Sequence, residues 1–598
     1  MKKLLAILLA VMLLMTGALA ETAEANVEAP ETEAPEANEA GTDEARHEIN
    51  RYIVKTYLTS LDYSYDLPLC FVDGVDDLPW LDLEDFCQFM NVFEQQFYED
   101  SGYRLVYEVN GEQVWLCRES NYFMIVDFEQ NTIAFTDYDA FIHDSSSNAL
   151  VDLVSGTGYD AEGRGELFRH VPTGSYDRYG ESVLLELDDY GIQLIHQGDY
   201  YLVPAQTLSD FVLSIGTGLN LFYNGEEAFC ANADSFGMVD SQYYPLTELG
   251  ERYYSGKPSQ RSEALANYGY NELCLMLDNL YGLKELHDVK HFDRLFTQLA
   301  YKDDLLSPDP ETADNQLYDF IDLQLDDIHS TFSGYSFMTG MKATEGSYGI
   351  QSINLNGSYA YYGGARSEHY SDGPVGYEEV GNTAYVTFDE FTNKAAAYYY
   401  ECLENGEDLP EGDTIGLIIK AHQQINREGS PVENVVIDLS NNGGGTLNAA
   451  AFVIAWALGE AQVSLKDTFT GAMSTAVYQV DANLDREFDD NDKLTGKKIY
   501  CLISPCSFSC GNFVPAVFKS SGRVTLLGRT SGGGSCFVLN AATAWGTYFS
   551  ISGPQRMSLM KNGAFYDIDQ GVEPDFIINN VDNFYDREAL TAYINGLF

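Results

Sequence analysis

The segment CLISPCSFSCGNFVPAVFKSSGRVTLLG occupies residues 501–528 and contains a predicted strand, a sharp turn and a helix in succession. Pro505 ends the apolar strand, and Ser509 lies just before the helix. Because the ring of Pro515 would clash with the carbonyl of Gly511 inside a regular helix, we expect the helix to begin near Gly511. A serine in this place often serves as a helix N-cap. It also lies beside free amides and the positive end of a helix, which suits an attacking alkoxide and the oxyanion that it creates.

A second strand-to-helix junction precedes this segment, with the sequence VVIDLSNNGGGTLNAA at residues 435–450. Glycines allow a sharp turn and bring bare N–H groups close to a ligand, so Gly443 and Gly444 are candidates for such contacts. No G-x-G-x-x-G pattern occurs here and no Lys-Ser/Thr pair follows, so nucleotide binding is not supported. A tight turn explains these glycines equally well.

Strand-like and helix-like patterns alternate through the C-terminal half of the chain, which predicts a layered α/β domain. The predicted strands span residues 384–388, 434–439, 498–504 and 524–528, and the predicted helices span residues 414–427, 446–458 and 511–520.

Three motifs give residues 260–598 a resemblance to the C-terminal processing protease and tricorn family of serine peptidases. They are IDLSNNGGG (437–445), SFSCGN (507–512) followed by a Gly-Arg pair, and GVEPD (571–575). The resemblance implies a crotonase-like (ClpP-like) layered catalytic core with helical additions. Aligned on the Gly-Arg pair, it implies that the nucleophile is Ser509 and not Ser507.

The resemblance also implies a choice of general base. One branch of the family uses a lysine about 25 residues after the serine, and that position holds Gly534 here. The tricorn branch uses a histidine from an upstream helical segment. His329, in the sequence DDIHS, matches the pattern of lysine-free relatives, and His369 and His422 are the alternatives.

The third catalytic residue and the oxyanion donors are predicted with several alternatives. Asp569 and Asp567 precede the GVEPD motif and are candidate carboxylates, and the two aspartates at 326 and 327 are also available. The amides of Cys510 and of Gly444 or Gly443 are expected to hold the oxyanion.

The N-terminal half carries targeting and non-catalytic segments. Lys2, Lys3, an apolar run and a small-residue cleavage pattern predict a signal peptide, so we expect export without membrane insertion after cleavage. Stretches 78–90 and 201–213 look alike, each with a strand-like start before a helix. The predicted units are a signal peptide (1–20), an acidic disordered linker (21–49), two α+β modules (50–150 and 151–258), a helical segment carrying His329 (259–340) and the peptidase core (341–598).

Composition excludes several other classes of function. The formal net charge of −59 repels phosphate backbones and anionic lipids, so nucleic-acid and membrane-surface binding are not expected. The acidic stretch 481–492 departs from a calcium loop because Arg486 replaces the required glycine, and no CxxC pair indicates zinc, so no metal or cofactor is predicted. The ten cysteines lie largely in apolar segments, as buried thiols do.

These observations predict a secreted serine peptidase that acts on a peptide or protein by acyl transfer through Ser509. The alternative is a catalytically inactive peptide- or ligand-binding protein on the same fold. An esterase of similar chemistry is a further alternative, although no G-x-S-x-G elbow favours it. The sequence leaves the oligomeric state open.

Overall fold

The computed structural model describes residues 46–97, 104–118, 121–143, 166–171, 175–178, 180–237, 245–257, 259–342, 348–410 and 412–597. The predicted signal peptide and nearly all of the predicted linker lie outside these residues, although the first strand already begins at Ile49. The described strands form four sheets of seven, five, eight and six strands.

The six-stranded sheet contains the alternating strands and helices that the sequence predicts near the C-terminus. Its neighbouring strands are parallel except for the first pair. Parallel neighbours need crossover connections. Helices supply them as far as strand Val524–Gly528, and the connection from there to Phe576–Ile577 passes through strands of the eight-stranded sheet. In spatial order the strands are Tyr377–Val380, Thr383–Thr387, Asn434–Asp438, Lys498–Ile503, Val524–Gly528 and Phe576–Ile577, and the crossover helices include Thr414–Ile425, Leu447–Leu458 and Cys510–Ser521. The predicted α/β class is confirmed.

Helix Leu447–Leu458 forms the centre of the core beneath this sheet. The Thr446 hydroxyl caps its first turn by accepting a hydrogen bond from the Ala449 amide at 3.4 Å. The helix is buried on nearly every face, and the Trp456 side chain is fully buried. Because strands and helix pack without solvent between them, the loops at the carboxyl edge of the sheet start from a rigid base.

The seven-stranded and five-stranded sheets both draw strands from the two predicted α+β modules. In the seven-stranded sheet, Trp80–Asp82 pairs with Tyr200–Pro204, so the two look-alike stretches contribute adjacent strands. The boundary predicted between residues 150 and 151 therefore does not separate two sheets, because long-range pairing crosses it. The seven strands in order are Ile195–Gln197, Tyr200–Pro204, Trp80–Asp82, Ser60–Val72, Ile49–Leu58, Ala228–Ala231 and Asn220–Tyr223, and the five are Val183–Glu186, Thr132–Phe135, Tyr122–Asp127, Gln113–Arg118 and Leu105–Asn110.

The eight-stranded sheet joins the N-terminal region to the C-terminal half of the chain. Met473–Val480 pairs with Phe168–His170 and Ser175–Arg178, and Tyr548–Lys561 pairs with Thr331–Gly334. The sheet is completed by Ala461–Asp467, Cys536–Ala542 and Ala564–Tyr566. Residues on both sides of the predicted boundaries at 258 and 340 thus share one sheet.

The predicted helical segment is present and ends close to His329. The Asp309 carboxylate caps helix Pro310–Tyr318 by accepting a hydrogen bond from the Thr312 amide at 3.1 Å. The helices of this segment are Glu263–Leu280, Phe292–Leu299, Lys302–Leu305, Pro310–Tyr318 and the π-helix Asp319–Leu325. The other helices are Leu83–Phe97, Tyr138–His143, Ala205–Leu208, the π-helix Ser209–Ser214, Ile215–Thr217, Ala233–Phe236, Glu248–Tyr253, Ile350–His369, Ala396–Asn405, Asp582–Tyr585 and Arg587–Asn595, with 3₁₀ turns at Leu187–Tyr190 and Asp490–Asp492.

Two further features of the fold bear on the predictions. In the described parts of the chain, no helix has the length and apolar character needed to cross a membrane. The ten cysteines all fall within the described ranges, and none of them forms a disulfide there.

A buried ion pair attaches the C-terminal helix to the six-stranded sheet. One Arg587 guanidinium nitrogen lies 2.7 Å from a carboxylate oxygen of Asp438, and the two side chains are only 5% and 1% exposed. The same guanidinium donates hydrogen bonds to Thr387 at 3.0 Å and to Glu378 at 3.0 Å. Asp438 is the last residue of the strand that precedes the glycine loop, the loop that contains Gly443 and Gly444. This ion pair therefore fixes the start of that loop.

We predict that Arg587→Met destabilises the protein by about 3–5 kcal/mol, because it leaves the Asp438 carboxylate buried without its cation. Urea unfolding followed by tryptophan fluorescence measures the effect. Lys257→Ala, which removes an exposed ion pair with Glu226 (79% and 55% exposed), is the control and should leave the unfolding midpoint unchanged. Equal midpoints for the two variants would contradict the prediction.

Candidate active site

Three loops meet at the carboxyl edge of the six-stranded sheet and are joined by main-chain hydrogen bonds. The Phe508 amide donates to the Asn442 carbonyl at 3.0 Å, and the Ser509 amide donates to the Gly533 carbonyl at 2.9 Å. The Gly532 amide donates in turn to the Ser507 carbonyl at 2.8 Å. The turn that carries Ser509 is therefore held between the loops that follow the two neighbouring strands.

Ser509 has an unusual backbone conformation, with φ of 55° and ψ of −121°. A residue with a β-carbon adopts such angles only where the surroundings enforce them, and such residues cluster at functional sites. The helix begins at Cys510, one residue before the predicted start. Ser509 is half-buried, and its side chain makes no capping hydrogen bond. The N-cap alternative is thus not what the geometry shows.

The neighbouring Ser507 has a structural role. Its hydroxyl donates to the Leu439 carbonyl at 2.6 Å and accepts from the Ser504 amide at 3.0 Å. The side chain is fully buried. Its hydroxyl is therefore engaged inside the turn, whereas that of Ser509 is not.

The glycine loop lies against the Ser509 side chain. A β-carbon added to Gly444 would be 2.7 Å from the β-carbon of Ser509, and Gly444 has φ of +112°. Its amide, however, donates to the Asn442 side-chain oxygen at 2.9 Å, and the Gly443 amide donates to the Asp389 carbonyl at 3.0 Å. Both predicted loop donors are thus engaged within the protein. The Cys510 amide, at the first position of the helix, has no acceptor among the described residues.

His329 lies beside the turn that carries Ser509. Its ring centroid is 4.7 Å from that of Phe508. The two rings line a cavity of about 120 Å³, which Asp327, Gly534 and Asp569 also line. Within the described structure, no hydrogen bond joins the His329 ring to the Ser509 hydroxyl. Burial lowers the pKa of His329, and the nearby charge of Asp327 acts in the opposite direction.

The two alternative histidines lie elsewhere. His422 is buried on helix Thr414–Ile425, where its Nδ1 atom accepts a hydrogen bond from the Trp456 indole at 3.1 Å. His369 is exposed at the end of helix Ile350–His369. Of the three candidates, His329 is therefore the one that lines a cavity with the Ser509 turn.

The two candidate carboxylates before the GVEPD motif have different surroundings. Asp569 lines the cavity with His329, and one of its oxygens lies 3.1 Å from both the amide and the hydroxyl of Ser535. Burial raises the pKa of Asp569. Asp567 is exposed and pairs with Arg556 at 2.9 Å. The structure thus brings Asp569, and not Asp567, to the cavity.

The other two aspartates also have distinct contacts. The Asp326 carboxylate accepts hydrogen bonds from the amides of Gln351 at 2.9 Å and Ser352 at 3.3 Å, so it caps helix Ile350–His369. Asp327 is buried and lines the cavity. Two of its three hydroxyl donors, Tyr281 and Ser552, lie far away in the sequence, so the local sequence alone does not indicate this environment.

Gly534, at the position where the lysine-using relatives carry their base, contacts Phe508. A β-carbon added to Gly534 would lie 2.6 Å from two atoms of the Phe508 ring, and Gly534 has φ of +82°. A lysine does not fit there unless the aromatic ring moves.

Across the residues that the structure describes, no group of three or more His, Cys, Asp or Glu side chains is arranged to hold a metal ion.

Residues 382–578 match the family model of Peptidase family S41. A protein of Chlamydia pneumoniae is 29% identical over 107 residues, a match that spans 17% of this chain and 16% of that protein. The solved structure of mature CPAF complexed with lactacystin aligns with 56% of this chain and 97% of its own (13% identity, TM-score 0.35). A lipoprotein from Streptococcus agalactiae also aligns with 56% of this chain, and with 96% of its own (11% identity, TM-score 0.34). The photosystem II D1 C-terminal processing protease aligns with 33% of this chain and 42% of its own (20% identity, TM-score 0.24).

We predict that Gly444→Ala destabilises the protein more than Gly522→Ala. Both glycines have positive φ, so each alanine carries about 1–3 kcal/mol of backbone strain. Gly522 has open space around a new β-carbon, whereas at Gly444 the contact with Ser509 adds about 1–3 kcal/mol of overpacking. Thermal unfolding of the two variants tests this, and equal unfolding temperatures would show that the loop does not press on Ser509.

Proposed function

Because residues 382–578 are a domain of Peptidase family S41, we propose that the protein is a serine peptidase that cleaves peptide bonds through Ser509, with His329 as the general base. The observation that carries the proposal is the conformation of Ser509. Its hydroxyl makes no capping bond, its backbone has positive φ, and it lies directly before the first residue of a helix. This arrangement presents the hydroxyl beside main-chain donors at the positive end of a helix.

The reaction is acyl transfer. The Ser509 oxygen attacks the carbonyl carbon of the scissile bond while His329 accepts the hydroxyl proton, and the carbonyl oxygen becomes an oxyanion. His329 then gives the proton to the leaving amine, and the acyl group remains on Ser509. Water attacks the ester with His329 again as base, which releases the acid and restores the serine.

A main-chain donor at the start of helix Cys510–Ser521 stabilises the oxyanion. This donor is the Cys510 amide, because the Gly511 amide already donates to the Phe508 carbonyl at 2.8 Å. Loss of one such donor costs about 3–4 kcal/mol in related chemistry. Gly444 lies next to Ser509, but its amide must leave the side chain of Asn442 before it donates to substrate. The second donor of the predicted pair therefore requires a small rearrangement of the loop.

Asp569 is the carboxylate that we assign to the imidazolium of His329. It shares the cavity with His329, whereas Asp567 is paired with Arg556. Within the described structure, the His329 ring makes no hydrogen bond to the Ser509 hydroxyl or to the Asp569 carboxylate. Catalytic hydrogen bonds often tighten only in the substrate complex. The proposal requires the His329 side chain to rotate within the cavity toward Ser509 and Asp569.

The remaining parts of the proposal concern architecture and location. The parallel strands with the nucleophile turn at their carboxyl edge support a crotonase-like core. The pattern of residues 1–20 supports export as a secreted protein, and the acidic stretch that follows supports a solvated tether. Peptides or proteins are the proposed substrates.

We predict that a fluorophosphonate probe labels the wild-type protein and that Ser509→Ala abolishes this labelling. His329→Ala should slow it by about 10²–10⁴-fold, because base assistance contributes by that order. Ser521→Ala, at the exposed end of the same helix, is the matched control and should label at the wild-type rate. Time-resolved gel fluorescence gives the rates. A wild-type protein that is never labelled would favour the inactive binding protein on the same fold.

We predict that kcat/KM for peptide hydrolysis falls on the acidic side with a midpoint below the ordinary histidine value of about 6.5. The base must be neutral to accept the serine proton, and burial lowers the pKa of His329, so the neutral form persists to more acidic pH. A pH profile measured with a fluorogenic peptide at constant ionic strength tests this. A midpoint at or above the ordinary value would contradict the assignment of a buried base.

A further inference from the structure

Asp327 accepts four hydrogen bonds from groups that surround the His329 loop. One of its oxygens accepts from the His329 amide at 3.0 Å and from the Ser552 hydroxyl at 2.7 Å. The other accepts from the Tyr281 hydroxyl at 2.9 Å and from the Ser330 hydroxyl at 2.5 Å. The carboxylate is 7% exposed, so these bonds replace most of its contact with water.

These donors belong to three different elements. Tyr281 directly follows helix Glu263–Leu280, Ser552 lies in strand Tyr548–Lys561, and Ser330 precedes strand Thr331–Gly334. The same long strand also holds the other side of His329, because the Ser550 hydroxyl donates to the His329 carbonyl at 3.1 Å. The main chain of His329 is thus fixed at both its amide and its carbonyl, while no described group is hydrogen bonded to its ring.

The charged and titratable groups around the His329 ring come from three segments. Asp327 comes from its own loop, His287 from the segment after Tyr281, and Asp569 from the loop before the GVEPD motif. Asp569 is influenced by the charge of Arg556, and the Cys536 thiol lies near both aspartates. Among these groups, Asp327 is the one whose charge opposes the effect of burial on the His329 pKa.

We propose that Asp327, held in place by Tyr281, is a positioning residue that fixes the His329 loop beside Ser509 and favours the imidazolium formed during catalysis. This inference rests on the proposed function, in which His329 is the base. Asp327 acts through the main chain and through its negative charge, and not by a hydrogen bond to the ring. Asp569, by contrast, lines the cavity from the opposite loop, where Ser535 donates two hydrogen bonds to one of its oxygens.

The substitution Tyr281→Phe tests this proposal, because it removes only the hydroxyl group that donates to Asp327. Tyr281→Phe takes one donor from Asp327 and should lower kcat by about 10- to 100-fold, since a small misplacement of a catalytic group has effects of that size. KM should change less than about twofold, because no substrate contact is lost. The matched control is Tyr270→Phe, which removes a similar hydrogen bond from a tyrosine within the preceding helix Glu263–Leu280 to Asp293, at 2.8 Å.

Asp327→Asn keeps the shape of the side chain and removes its charge. The acidic midpoint of the kcat/KM profile should move to lower pH, because the negative charge no longer favours protonated His329. Asp322→Asn is the control: Asp322 accepts a hydrogen bond from the Phe332 amide at 2.9 Å in the same segment but does not line the cavity. It should leave the midpoint where the wild-type protein has it.

The outcomes separate this inference from the proposed function. If the wild-type protein is active and depends on Ser509 and His329, but Tyr281→Phe matches Tyr270→Phe in kcat and Asp327→Asn leaves the midpoint unchanged, the inference is wrong and the function stands. If the wild-type protein shows no activity that depends on Ser509, both are overturned. Should Asp327→Asn unfold in a thermal melt, the Tyr281→Phe kinetics decide.

Discussion

Main-chain hydrogen bonds between three loops determine where the Ser509 hydroxyl lies, and the rest of the site is arranged around them. The amides of Phe508 and Ser509 donate to carbonyls of the two flanking loops, at 3.0 and 2.9 Å. This double attachment holds Ser509 at positive φ and allows the helix to begin at the next residue. The rigid parallel sheet below maintains this strained conformation of Ser509, because the ends of its strands bring the three loops together.

The histidine reaches the site from a different sheet. His329 precedes strand Thr331–Gly334, which pairs with Tyr548–Lys561 in the eight-stranded sheet. Helix Ile350–His369 connects the two parts: its first turn is capped by Asp326, and Tyr359 on it donates to the Cys506 carbonyl at 3.3 Å. The spacing of Ser509 and His329 thus depends on how two sheets and one long helix pack, and not on any short sequence motif.

The local parts of this architecture could be predicted from the sequence, and the long-range parts could not. Strands and helices between residues 434 and 528 have clear hydrophobic periodicity and turn residues, and Ser509 stands at an obvious junction. The pairing of Trp80–Asp82 with Tyr200–Pro204 joins residues far apart in the chain, and no local pattern encodes it. The same holds for the carboxylates. Asp326 and Asp327 are adjacent and chemically identical. Asp326 nevertheless caps a helix that starts 24 residues later, whereas Asp327 accepts hydrogen bonds from hydroxyl groups of distant elements. Asp567 is exposed and paired with Arg556, whereas Asp569 accepts hydrogen bonds from Ser535 and lines the cavity.

The shared eight-stranded sheet has a consequence for the order of folding during synthesis. Strand Tyr548–Lys561 must exist before Thr331–Gly334 has its partner, and strand Met473–Val480 must exist before Phe168–His170 and Ser175–Arg178 have theirs. Contacts with such long sequence separation form late, because the loop between them must close first. A nascent chain that has been synthesised only as far as Ser509 therefore lacks the strand that anchors the His329 loop. Under the proposed function, the site is therefore assembled only after strand Tyr548–Lys561 has been synthesised and has paired with Thr331–Gly334.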